Sequence, residues 1–144
     1  MILYLDTSAL VKLFVQEQHS DQVQAAAATA RMVATHVIAY PEARAGFAKA
    51  HRMGRIDQQA LSQLEASLDE VWPSFDIVGV DEALARRAGL LAAQYGLRGY
   101  DAVHLAAAET LHLSAGPGRL RFACFDKALS IAAETIGLQK HTPA

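Results

Sequence analysis

Met1-Ile2-Leu3-Tyr4-Leu5-Asp6-Thr7-Ser8-Ala9-Leu10-Val11-Lys12-Leu13-Phe14 decides how the rest of the chain reads. The apolar run Ile2 to Leu5 stops at three residues that favour helix N-termini, after which large side chains resume at helical spacing. That pattern is a strand, a sharp turn and a helix, with a carboxylate at the turn. It returns near the other end, where the run Leu120 to Phe125 meets Asp126, which caps a helix from Lys127 to about Ile136. Between these two units, Val33 to Thr35 and Phe75 to Val80 read as strands among helical segments. Ser20 and Asp21 open one helix, and Val37 to Arg52 form a second in which Pro41 marks a start or a bend. Asp57 to Trp72 is the most periodic helix, Asp81 to Gly96 frame another, and Asp101 to Leu113 runs to the loop Ser114-Ala115-Gly116-Pro117-Gly118. No hairpin dipeptide joins neighbouring strands, so the expected fold is α/β: a mainly parallel sheet with helices on both faces, a three-layer α/β/α sandwich.

The 144 residues suit one domain spanning 1–144. A composition of 52% hydrophobic and 19% charged residues excludes an intrinsically disordered chain. No apolar stretch approaches the roughly 20 residues needed to span a bilayer, and the N-terminus lacks a basic leader, so a cytoplasmic protein with no membrane partner is expected. Cys124 is the single cysteine, which excludes an internal disulfide and a cysteine cluster for zinc and fits a small buried hydrophobe. Thirteen Lys and Arg against fifteen Asp and Glu give a net charge of −2, so any nucleic-acid binding rests on a local patch or on metal. Dinucleotide binding fails because no Gly-x-Gly-x-x-Gly follows the first strand. An aspartyl-nucleophile phosphotransferase would want a second acid two positions after Asp6, where Ser8 stands.

In an open parallel sheet the residues just past the strand C-termini collect along one edge, where ligands bind. Asp6 and Asp126 follow strands there, Asp101 begins a helix that enters the same edge, and Glu42 lies one or two turns into the helix after the second strand. Each acid alone fits helix capping. As a set they repel, since two unit charges 4 Å apart cost about 4 kcal/mol at an effective dielectric near 20. Raised pKa values or a bound cation must offset that. Oxygen ligands without cysteine suit Mg²⁺ or Mn²⁺, and such an ion facing a phosphodiester activates water for hydrolysis.

Three stretches carry a family likeness: Tyr4 to Phe14, then Leu97-Arg98-Gly99-Tyr100-Asp101-Ala102-Val103-His104-Leu105-Ala106-Ala107-Ala108, then Phe125-Asp126-Lys127-Ala128-Leu129. They resemble the PIN domain, most closely its small members, the VapC-type toxins of toxin–antitoxin pairs. The resemblance implies a Mg²⁺- or Mn²⁺-dependent endoribonuclease that leaves a 5′-phosphate and a 3′-hydroxyl. It places the catalytic and metal-binding acids at Asp6, Glu42, Asp101 and Asp126, with the hydroxyl of Thr7 or Ser8 supporting a carboxylate, a water or the substrate phosphate. It also implies a cognate small antitoxin and a homodimer. A non-catalytic RNA- or protein-binding module that keeps the acidic edge is the alternative.

His104 shares a helix face with Asp101, and packing plus a hydrogen bond that steadies that helix is its expected role. Substrate grip is expected from local basic residues, first Arg98 and Lys12, then Arg44, with Lys49, Arg52, Arg86 and Arg87 further out. No stacked aromatic platform stands out, and Tyr4, Tyr40, Tyr95 and Tyr100 read as core or sheet-edge residues. Leu61, Leu64, Leu68 and Trp72 fit core packing and a groove or dimer surface equally well.

Overall fold

A computed structural model describes residues 1–141. Five parallel strands form its sheet in the order β3-β2-β1-β4-β5: β1 (Ile2–Leu5), β2 (Met32–His36), β3 (Asp76–Val78), β4 (Leu120–Ala123) and β5 (Gln139–Lys140). From β1 the chain builds outward to β2 and β3, then returns to place β4 on the other side of β1. The topological switch point therefore lies between β1 and β4, which is where ligands enter open sheets of this kind. Register aligns the two strands closely, Leu5 opposite Ala123, so Asp6 leaves the sheet at the level where β4 ends.

Seven α-helices complete the layers among the described residues. The helices α1 (Thr7–Val11), α2 (Ser20–Thr29), α3 (Ala39–Arg52) and α4 (Gln58–Val71) cover one face, and α5 (Glu82–Tyr95), α6 (Gly99–Ala115) and α7 (Lys127–Thr135) the other. Strand alternation produces two cores. Leu3 and Leu5 pack with Leu10, Phe47 and Leu68, whereas Tyr4 points the opposite way, to Leu105, Phe122 and Leu129. The expected sandwich is the observed one, and no described helix is long and apolar enough to cross a membrane.

Asp57 and Asp81 cap α4 and α5 by accepting from Ala60 N and Leu84 N at 2.8 and 2.7 Å, and Gly96 ends α5 at φ 65°, a conformation that suits glycine. Pro41 is the third residue of α3, in the first turn, where a missing N–H costs no intrahelical bond, so the helix begins at Ala39 and does not bend there. Several element bounds differ from expectation: α6 runs on through Ser114 and Ala115, and β3 is confined to Asp76–Val78. The helix of Asp101 begins two residues earlier, at Gly99, and β4 ends at Ala123, so Cys124 and Phe125 form a short connection before Asp126. Cys124 is half-buried there, its thiol pushed up to about 12 by burial, which leaves it an inert packing group.

Candidate active site

Asp6 is the N-cap of α1, and its Oδ1 accepts from Ala9 N at 2.9 Å and from the Ser8 hydroxyl at 2.7 Å. Ser8 Oγ also accepts the Phe125 N–H at 3.2 Å. One hydroxyl thus ties the carboxylate at the end of β1 to the connection that delivers Asp126. Only 3% of Asp6 is exposed. Burial pushes its pKa up to about 6; His104 nearby and the bonds from Ser8 and Ala9 pull it down, while Asp101 adds to the rise.

Glu42 lies in the first turn of α3, held from two sides. Thr7 Oγ1 donates to its Oε1 at 2.6 Å, and His104 Nε2 stands 3.2 Å from the same oxygen and 3.1 Å from Thr7 Oγ1. Burial alone would raise the Glu42 pKa, yet the bonds from His104 and Thr7 and the nearby Arg98 charge bring it below the usual value. The other nitrogen of His104, Nδ1, lies 2.9 Å from the Tyr4 hydroxyl. His104 therefore crosses the sheet edge from α6 to Tyr4, Thr7 and Glu42, contacts that hold the Asp101 helix to its neighbours and also grip Glu42.

Asp101 is buried in the first turn of α6, and Asp126 caps α7 by accepting from Leu129 N at 2.9 Å. The Arg98 guanidinium joins them: Nε donates to Asp101 Oδ2 at 2.8 Å, and a terminal nitrogen is 3.8 Å from Asp126 Oδ1. Four acids from four separate elements are thus linked at the switch point through Ser8, Thr7, His104 and Arg98.

The PIN domain family matches residues 3–134. The chain is 33% identical over 136 residues to Ribonuclease VapC45 of Mycobacterium tuberculosis (strain CDC 1551 / Oshkosh), covering 94% of this chain and 92% of that protein. This chain belongs to the PIN-domain family, among its VapC proteins. The crystal structure of FitAcB from Neisseria gonorrhoeae superposes on the PIN domain with a TM-score of 0.71 at 22% identity, covering 99% of this chain and 98% of that one. A toxin–antitoxin complex from Klebsiella pneumoniae gives 0.67 at 22% identity, with coverage of 99% and 98%.

Of the four carboxylates of this PIN domain, each has one oxygen fixed by the protein. Among the described residues, Asp6 Oδ2, Glu42 Oε2 and Asp101 Oδ1 accept no hydrogen bond, and Asp126 Oδ1 meets only Arg98 at 3.8 Å. No three His, Cys, Asp or Glu side chains among the described residues stand together as a ready ligand set. That arrangement fits a magnesium-like ion, which takes one or two carboxylates, keeps several waters and accepts substrate phosphate oxygens, better than it fits a closed protein cage. Asp6, whose pKa burial raises to about 6, is the carboxylate whose negative charge is least compensated.

The basic candidates are placed differently from one another. Arg98 is 63% exposed along its side chain but is committed to Asp101 and Asp126, and its guanidinium lies 4.9 Å from the Tyr100 ring centre. Lys12 is largely buried, pairing with Glu17 at 2.9 Å and lying 4.6 Å from the centre of the Phe125 ring. Arg44, two residues from Glu42 and so on another face of α3, turns to Glu65 and Tyr40. Two contributors were not legible as such: Tyr4, which reads as core, and Phe125, whose ring stacks on His19 with centres 5.4 Å apart. The signal that could have flagged Tyr4 is its place two positions before Asp6.

Proposed function

We propose that this protein is an endoribonuclease, the toxin of a type II toxin–antitoxin pair, whose 144 residues act as one cytoplasmic domain on RNA phosphodiesters. The observation that supports this reading is the hydrogen-bonded edge itself: Ser8, Thr7, His104 and Arg98 tie together the segments that carry Asp6, Glu42, Asp101 and Asp126, and each acid keeps an oxygen with no hydrogen bond among the described residues. The VapC45 relative, named a ribonuclease, and the fold shared with a toxin–antitoxin complex support it.

Asp6 and Asp101 would hold the Mg²⁺ or Mn²⁺ ion, with Glu42 and Asp126 completing the acidic wall. Such an ion, when bound, supplies positive charge to the phosphate and acidifies water beside it. The chain's own residues do the rest. Ser8 and Ala9 N fix the rotamer of Asp6, so one carboxylate oxygen faces the edge. Thr7 and His104 keep Glu42 ionised and oriented. Arg98 offsets the charge of Asp101 and Asp126, and its exposed guanidinium can exchange a carboxylate for an incoming phosphate.

A cognate small antitoxin and a second copy of the chain are the partners this reading assigns. A groove of about 700 Å³ between α1, α3 and α4, with Val11, Phe14, Phe47, Ile56 and Leu64 among its lining, suits an apolar segment of the antitoxin. The binding-module alternative draws on the lack, among the described residues, of a ready set of three His, Cys, Asp or Glu ligands. Incubating a total RNA pool with the protein, with and without Mg²⁺ or Mn²⁺, separates the two. Ion-dependent cleavage that Asp6→Asn and Asp101→Asn abolish while the fold survives supports the nuclease; RNA left intact by the wild-type protein under both conditions refutes it.

A further inference from the structure

The chain of hydrogen bonds behind Glu42 consists of polar groups set where apolar ones would pack as well. Tyr4 is fully buried and His104 is 1% exposed, both in the core between the sheet and α6. Phenylalanine and leucine in those two places would fill comparable space without removing polar atoms from water, and buried polar networks are favourable only when every member is satisfied. Here every member is. An ionised Glu42 accepts only, so the proton at the 3.2 Å contact belongs to His104 Nε2. The Thr7 hydroxyl has given its proton to Glu42 at 2.6 Å, so its lone pairs face the same Nε2–H at 3.1 Å. In the neutral ring Nδ1 is then an acceptor, and the Tyr4 hydroxyl, 2.9 Å away, donates to it. The ring has a fixed partner at each nitrogen, one on β1 and the others on α1 and α3.

We propose that Tyr4 and His104 are positioning residues: the Tyr4 hydroxyl fixes the His104 ring across the sheet edge, so that its Nε2–H holds Glu42 and Thr7 in the orientation RNA cleavage requires. The inference rests on the nuclease reading for the role of Glu42 but not for the relay itself. The span of the relay explains why it would be needed. Glu42 belongs to the α1–α4 layer and Asp101 to the α5–α7 layer, and His104, three residues after Asp101 on α6, makes direct contact with both Glu42 and Thr7. A shift of one layer against the other is thus resisted at the site where the acids must meet.

Tyr4→Phe tests this, because it removes only the hydroxyl. In metal-free wild-type protein labelled with ¹⁵N-histidine, the His104 Nε2–H signal should exchange slowly with water, and Nδ1 should carry the shift of a hydrogen-bonded acceptor. In Tyr4→Phe the Nδ1 shift should move to that of a free acceptor, and Nε2–H exchange should quicken at least tenfold. With the ion supplied, kcat should fall about 10- to 100-fold at nearly constant KM, as is typical when a partner that orients a ligand is lost. Leu120→Ala, in the same core cluster near the opposite end of the sheet, serves as the control: it should lower stability yet leave the His104 signals and kcat in place. Wild-type ring signals and kcat in Tyr4→Phe overturn the proposal, as does an equal loss of kcat in Leu120→Ala. An Nδ1–H tautomer in the wild-type spectrum overturns it even if Tyr4→Phe fails to fold. If the wild-type protein cleaves no RNA, the nuclease reading falls, while the spectra still judge the relay.

Discussion

Replacing Asp6 with Asn should make the metal-free protein more stable at neutral pH, although it removes the residue at the centre of the site. Asn caps helices as well as Asp, and its Oδ1 can keep the bonds from Ser8 and Ala9 N, so the substitution deletes the charge and little else. Asp6 titrates at about 6 in the folded chain against an ordinary value of 3.8. Its protonated form is therefore favoured by folding: that share of stability is fully present below about pH 4, and it is lost as the pH rises through about 6. A difference of about two pKa units corresponds to roughly 3 kcal/mol. Almost none of Asp6 is exposed, so solvent screening removes little of it. Asp6→Asn should thus match the wild-type protein near pH 4 and exceed it by roughly 3 kcal/mol at pH 7.5, or on the order of 10 °C in Tm for a chain of this length. Urea unfolding in a chelating buffer at a series of pH values measures the difference directly. Adding Mn²⁺ should then stabilise the wild-type protein selectively, by about 2.7 kcal/mol at a hundredfold excess over Kd. A difference between the two proteins that stays flat from pH 4 to 7.5 would falsify the argument that the buried charge of Asp6 is poorly compensated.

Other substitutions probe the neighbouring links. Ser8→Ala strands the Phe125 N–H and removes a donor from Asp6; equilibrium unfolding should show a loss of about 1–3 kcal/mol, and a loss near zero would mean the tie to the Asp126 connection carries no energy. Arg98→Met should lower metal-free stability by about 1 kcal/mol or less, since its side chain is largely exposed, and Mn²⁺ should narrow the gap; a gap that widens with the ion would contradict the assigned role. Phe47→Ala opens the core beneath α1 and should cost about 3–5 kcal/mol in the same assay, with a cost under about 1 kcal/mol excluding the packing described. Asp57→Ala removes the cap of α4 and should cost about 1 kcal/mol, without changing RNA cleavage.

The sequence makes plain whatever depends on hydrophobic period and on capping. β1 with Asp6, β4 with Asp126, and the helices opened by Asp57 and Asp81 follow from patterns that any chain with this core must show. β5 left no such trace, because Gln139 and Lys140 form an edge strand through backbone pairing with Arg121 and Phe122 and need no apolar face. The partners of side chains were hidden for another reason. Arg98 reads as a cation beside an acid, and only the packing of α6 against α7 reveals that it serves two acids separated by 25 positions. Tyr4 reads as core because it is core; periodicity reports burial and is silent about what a buried hydroxyl touches. Glu42 depended on Pro41, whose place in the first turn of α3 sets the direction of the acid.

The strand order carries a consequence for how the protein comes into being. β1 leaves the ribosome more than a hundred residues before its neighbour β4 and the aspartate beyond it, although the two strands pair inside the sheet. A chain halted anywhere short of Leu120 lacks a wall of its own cleft. A polypeptide able to cut RNA is therefore synthesised beside its substrate without a complete acidic edge until Leu120 and Asp126 have been added.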